Sequence, residues 1–181
     1  MKRSHLAREI VEIAAIALLI LIAIRFVIQS YHVESASMQP GLTANQYVMV
    51  NKTAYLFRPI ERGDVVVLHA PRDTNQDFIE RVIGLPGDTI QMDSTTIKVN
   101  GTLLNETYIK TPINPVANTW KVPPGQYFVL NDNRQIDDDS RTWSFVPKDY
   151  IVGKAVLVYW PLASWQFIDT HQAIYNQIKQ A

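Results

Sequence analysis

The apolar positions of this chain fall into two regimes. Across residues 13–24 every side chain is Ala, Ile or Leu, and after Arg25 the run resumes with Phe26, Val27 and Ile28. Counted from Ile10 to Ile28 it has the length of a membrane-spanning helix, about 20 residues at about 1.5 Å each. Glu12 and Arg25 fall near its two ends, where a long charged side chain can reach the interface. Beyond Tyr31 the pattern changes to short runs rich in β-branched and aromatic residues. Segments 47–52, 65–68, 78–83, 89–92, 96–99, 127–130 and 155–159 read as strands. Turn chemistry separates them: Arg62-Gly63-Asp64, Gly84-Leu85-Pro86-Gly87-Asp88, and Asn100-Gly101, a strong hairpin signal. The Pro-rich stretch 111–124 reads as a long edge or loop. About seven strands at short spacing predict a mainly β domain of convoluted antiparallel sheets behind one N-terminal transmembrane helix.

The expected organisation is a cytoplasmic N-terminus (1–9), an anchor (10–30), an extracytoplasmic domain (31–168) and a short polar tail (169–181). The tail carries Ile174 and Ile178 at helical spacing but is too short to hold a function by itself. Lys2, Arg3 and Arg8 precede the apolar run and hold the N-terminus on the cytoplasmic side of a cell membrane. A cleaved secretory signal peptide has a similar outline, but its apolar core is shorter than this one.

Composition narrows the chemistry. The chain has 181 residues, enough for one compact domain and an anchor. Its 17 basic and 17 acidic residues cancel, so the charge balance suggests no nucleic-acid partner. It has no cysteine, which excludes disulfides and thiolate chemistry. His5, His32, His69 and His171 lie far apart without paired spacing, so no metal and no other cofactor is expected. An aromatic stretch, 159–168, contains Trp160 and Trp165 and suits either a lipid surface or ordinary core packing.

Soon after the apolar run comes Ser35-Ala36-Ser37-Met38-Gln39-Pro40. Pro40 restricts Gln39 and itself, which places Ser37 on a turn or strand edge with its hydroxyl accessible. These six residues alone also suit a juxtamembrane linker. Three more clusters follow: Arg62 to Val67, Glu80 to Asp88 (Glu-Arg-Val-Ile-Gly-Leu-Pro-Gly-Asp), and Asn131 to Trp143 (Asn-Asp-Asn-Arg-Gln-Ile-Asp-Asp-Asp-Ser-Arg-Thr-Trp). In this order, behind an N-terminal anchor, the four clusters resemble the type I signal peptidases, bacterial membrane serine proteases that remove signal peptides. The resemblance implies that Ser37 is the nucleophile and that the Ser37 N–H and Ser35 hydroxyl form the oxyanion site. It makes Asp139 and Arg141 a supporting ion pair. The implied partners are membrane lipid and preprotein signal peptides with small residues first and third before the cut.

The chain departs from that pattern around the base. Glu80 stands where the family has its general-base lysine, and Asp137 where a serine positions that lysine. Asn131 and Ser144 replace two glycines. Alternation along the strand puts Glu80 with Phe78 and Val82 on an apolar face, opposite Ile79, Arg81 and Ile83. Lost solvation raises a carboxyl pKa, the more so if Asp137 adds negative charge, and a raised pKa makes a better base for Ser37. Two alternatives compete: Glu80 as an exposed residue paired with a cation, and a catalytically impaired chain serving as an assembly or chaperone factor. The acidic run 137–139 lacks the ligand spacing of a calcium loop and reads as an acidic turn.

Overall fold

The computed structural model describes residues 2–113 and 117–179, with side chains from residue 8 onward. Asn114, Pro115 and Val116 of the Pro-rich stretch, the last two residues of the tail, and the side chains of Lys2, Arg3 and His5 lie outside the described residues.

Helix α1 (Lys2–Val27) contains the apolar run and passes directly into strand β1 (Ile28–His32). The expected anchor ran to residue 30, yet the helix stops at Val27. Its cause is a competing partner: β1 pairs antiparallel with β2 (Tyr47–Asn51), and the Val27 carbonyl accepts a hydrogen bond from Lys52 N–H at 2.8 Å. Pairing with β2 satisfies the backbone groups on one side of 28–32 and leaves the other side as an open edge.

The longest apolar strand patterns form the centre of the domain. In β3 (Val65–Ala70) the run Val65 to Leu68 is wholly buried because both faces are covered. Val65 and Val67 join Met38, Leu42, Val48, Val50, Ala155 and Val158 on one face; Val66 and Leu68 join Ile60, Val82, Tyr127, Val129 and Val146 on the other. β4 (Asp73–Gly84), β9 (Gln126–Leu130), β10 (Val146–Pro147), β11 (Ile151–Trp160) and β12 (Gln166–Phe167) complete this sheet. Its order is β1-β2-β11-β3-β4-β9-β10, with β12 beside β11. A smaller sheet, ordered β7-β6-β5-β8, contains β5 (Thr89–Met92), β6 (Ile97–Val99), β7 (Thr102–Leu103) and β8 (Asn118–Lys121). Asn100 and Gly101 turn β6 into β7 with φ of 50° and 78°, the left-handed pair that a two-residue hairpin requires.

Two further expectations change. The described residues form twelve strands, not about seven; the additional ones are mostly very short or, like β1, merge with a neighbouring element. The polar tail is part of the core: around helix α4 (Gln172–Tyr175), Tyr175 and Ile178 are buried with Ile83, Ile90, Phe128 and Leu130.

Candidate active site

Ser37 sits in a turn held from three sides. Its neighbour Met38 is buried against Val65 and Val67 of β3, so the core pins the turn and leaves Ser37 half-buried at the surface. Asn133 clasps the same turn: its N–H donates to the Ser37 carbonyl at 2.8 Å and its Nδ2 to the Ala36 carbonyl at 3.2 Å. Ser35 Oγ donates to Ser37 Oγ at 3.0 Å, and the Ser37 N–H donates back to Ser35 Oγ at 3.3 Å.

Glu80 lies in β4, opposite Val66 of β3. It is 1 % exposed, and neither carboxylate oxygen accepts a hydrogen bond from any described residue. That overturns the picture of an exposed Glu80 paired with a cation. Burial, then the negative charges of Asp139 and Asp138, hold its carboxyl well above the usual range, and Arg141 pulls only partly the other way. Asp137 is exposed and is not among the charges that act on Glu80, so the second negative charge expected from Asp137 comes instead from the two residues after it. The turn presents Asp138 to the groove and buries Asp139.

Ser37 and Glu80 line one groove of about 660 Å³. One wall is the β1 side, from Ser30 to Ser35; the other is β4, from Asn75 to Glu80; Asn131, Ile136 and Asp138 complete the lining. β1 is at the edge of its sheet, and β9 pairs with β4 only from Arg81 onward, so both walls carry unpaired strand edges. Four successive antiparallel pairings lead from β1 through β2, β11 and β3 to β4, which makes the two walls parallel to each other.

Behind the groove, Asp139 and Arg141 are fully buried. Arg141 Nη2 lies 2.6 Å from Asp139 Oδ2, and Asp139 also caps helix α3 (Ser140–Trp143) by accepting from Arg141 N–H at 3.0 Å. Arg141 Nη1 reaches the Arg134 carbonyl at 2.8 Å, which fastens the whole acidic turn. Arg81, on the opposite face from Glu80, grips Asp132 through two bonds of 2.8 Å. The sequence reading assigned no role to Asn133, Asp138 or the Arg81–Asp132 pair. The Asn-Asp-Asn-Arg run was the available signal, but the partners of Asp132 and Asn133 lie 51 and 97 positions away.

The chain is a member of the signal peptidase family, peptidase S26, which matches residues 6–160. It is 39% identical over 144 residues to signal peptidase I of Leptolyngbya laminosa, covering 76% of this chain and 71% of that one. Signal peptidase IB of Staphylococcus aureus (strain MRSA252) is 31% identical over 185 residues, covering 91% of this chain and 95% of the other. A solved signal peptidase I from Enterococcus faecalis V583 superposes with a TM-score of 0.48 at 32% identity, covering 54% of this chain and 97% of that one.

Proposed function

We propose that the chain is a membrane-anchored serine endopeptidase that removes signal peptides from exported preproteins. The observation that carries this reading is the convergence of Ser37 and buried Glu80 on one groove between two parallel, unpaired strand edges. An extended peptide pairs with such edges through its backbone, which presents a carbonyl to Ser37. Ser37 Oγ attacks that carbon while its proton passes to the Glu80 carboxylate. The C–N bond then breaks, and the leaving amine takes the proton from Glu80. Water, deprotonated by the same carboxylate, hydrolyses the ester and frees Ser37. The Ser37 N–H and the Ser35 hydroxyl, already neighbours, share the developing oxyanion. Asp139 and Arg141 keep the acidic turn in place behind Glu80. Helix α1 anchors the protein, with Lys2, Arg3 and Arg8 holding the N-terminus in the cytoplasm and the catalytic domain outside.

One observation favours a second reading. A carboxyl raised by burial keeps its proton to higher pH than an ordinary glutamate, and while protonated it cannot take a proton from Ser37. A chain so impaired would serve as an assembly or chaperone factor for exported proteins. The two readings separate when the detergent-solubilised full chain and its Ser37→Ala variant are incubated with a preprotein across about pH 4 to 9. Cleavage is expected to rise with pH through the raised pKa of Glu80, because the base works ionised, and to vanish in Ser37→Ala. Folded protein that cuts nothing at any pH supports the second reading.

A further inference from the structure

Glu80 is the groove residue whose surroundings hydrolysis alone leaves unexplained. A buried carboxylate needs a counter-charge, and its two oxygens have no hydrogen-bond partner among the described residues. The neighbouring cations are all engaged elsewhere. Arg141 is committed to Asp139 and to the Arg134 and Ile136 carbonyls, Arg81 to Asp132, and Arg134 to Glu106. The groove lining adds three more carboxylates, Glu34, Asp77 and Asp138, and includes no Lys or Arg. Asp77 alone has a basic partner, His69, at 2.6 Å.

We propose that this groove binds a lysine side chain of the peptide, its ammonium seated on Glu80, with Glu34, Asp77 and Asp138 drawing it in. The inference rests on the peptidase reading for the path of the peptide, but not for its turnover. A compact ammonium on a flexible stem reaches a recessed carboxylate that a planar guanidinium fits less well, and its methylenes pack on Phe78, which shares the Glu80 face of β4, and on Ile136 of the lining. Once seated, the cation offsets the desolvation of Glu80 and holds it as carboxylate, the form that accepts the Ser37 proton. Side chains alternate along an extended peptide. If small residues first and third before the cut face one way, the lysine belongs second before the cut or first after it.

The test is binding to the full-length Ser37→Ala chain in detergent, read by fluorescence anisotropy. The probes are labelled peptides with Ala first and third before the cut and Lys, Arg or norleucine either second before the cut or first after it. The lysine peptide is expected to bind about tenfold tighter than the norleucine peptide at one of them. Adding Glu80→Gln should abolish that preference; adding Asp138→Asn should only weaken it and make it less salt-sensitive. Equal binding of Lys and norleucine, a preference for Arg, or a preference that survives Glu80→Gln overturns the proposal. The underlying reading is separable: discrimination without cleavage by the wild-type chain keeps the cation site and removes the peptidase, whereas cleavage without discrimination does the reverse.

Discussion

A carboxyl group inside a sheet is either paired or disfavoured as an anion, and Glu80 is unpaired. This makes stability depend on pH with a definite sign. Its folded pKa is raised above the ordinary 4.5, so its contribution is fully present below about pH 4.5 and is lost as pH rises through the folded value. Glu80→Met removes both the charge and the unsatisfied oxygens at similar volume. The variant should gain on the order of 1 to 3 kcal/mol over wild type at alkaline pH and much less at pH 4. Denaturant titration across that range checks it, and a variant less stable at high pH would mean that Glu80 has a partner in solution. At this scale the sequence was half legible. Ser37 and Glu80 stood out because four ordered clusters resemble a known family; local pattern added only that strand alternation puts Glu80 among apolar residues, while Ser37 by itself suited a linker equally. Asp138 and Asn133 did not stand out: which member of an acidic turn faces a groove depends on the Asp139–Arg141 pairing that shapes the turn.

Elements buried on both faces were the easiest to read, since β3 and β9 are continuous apolar runs and nothing else explains such runs at that length. Elements that owe their form to a partner were not. β1 continues the apolar pattern of α1 and is a strand only because β2 lies beside it; β8 emerges from a Pro-rich stretch because β5 offers an edge. The tail is the third case. Arg81 Nη1 donates to the Gly63 carbonyl at 2.8 Å and to the Asp169 carbonyl at 2.9 Å, which ties the tail to the turn ahead of β3. Tyr175 extends the tie, its hydroxyl donating to Glu106 at 3.0 Å. Gly63 itself has φ +87°, and a Cβ there would lie 2.2 Å from the Thr170 carbonyl oxygen and 2.7 Å from the Tyr175 ring. Gly63→Ala should therefore cost more than about 2 kcal/mol and displace the tail before the sheet melts. Limited proteolysis would show early cleavage within residues 169–179. An intact tail with an unchanged melting temperature would rule out this coupling.

At the scale of the whole molecule α1 and the β domain are joined without a linker, because the last residue of α1 is already hydrogen-bonded to the segment after β2. What the domain exposes therefore bears on how it meets a bilayer. Leu56 and Phe57 of helix α2 (Ala54–Phe57) are exposed just beyond that bond. At the other end of β2, Tyr47 lies opposite Trp160, near exposed Leu162, Trp165 and Phe167. Core packing, one of the two roles open to Trp160 and Trp165 from sequence, is excluded by exposures of 51% and 53%. If α1 holds the domain at a membrane, as proposed above, an apolar, Trp-bearing patch is suited to the lipid interface. The other two tryptophans are less exposed, Trp120 in the cluster with Phe128 and Trp143 against the separate one around Val66 and Leu68, so quenching from the lipid reports mainly on the patch. With the full chain in vesicles of lipids brominated near the headgroups, the fluorescence should be quenched, and most of the quenching should disappear in Trp160→Phe/Trp165→Phe. The result also fixes how the domain stands. Quenching means that both ends of β2 approach the lipid, so β1 and β2 lie along the surface and bring Ser37 down to it. Without quenching the strands rise from the bilayer, and the five residues of β1 lift the Ser37 turn by about 16 Å.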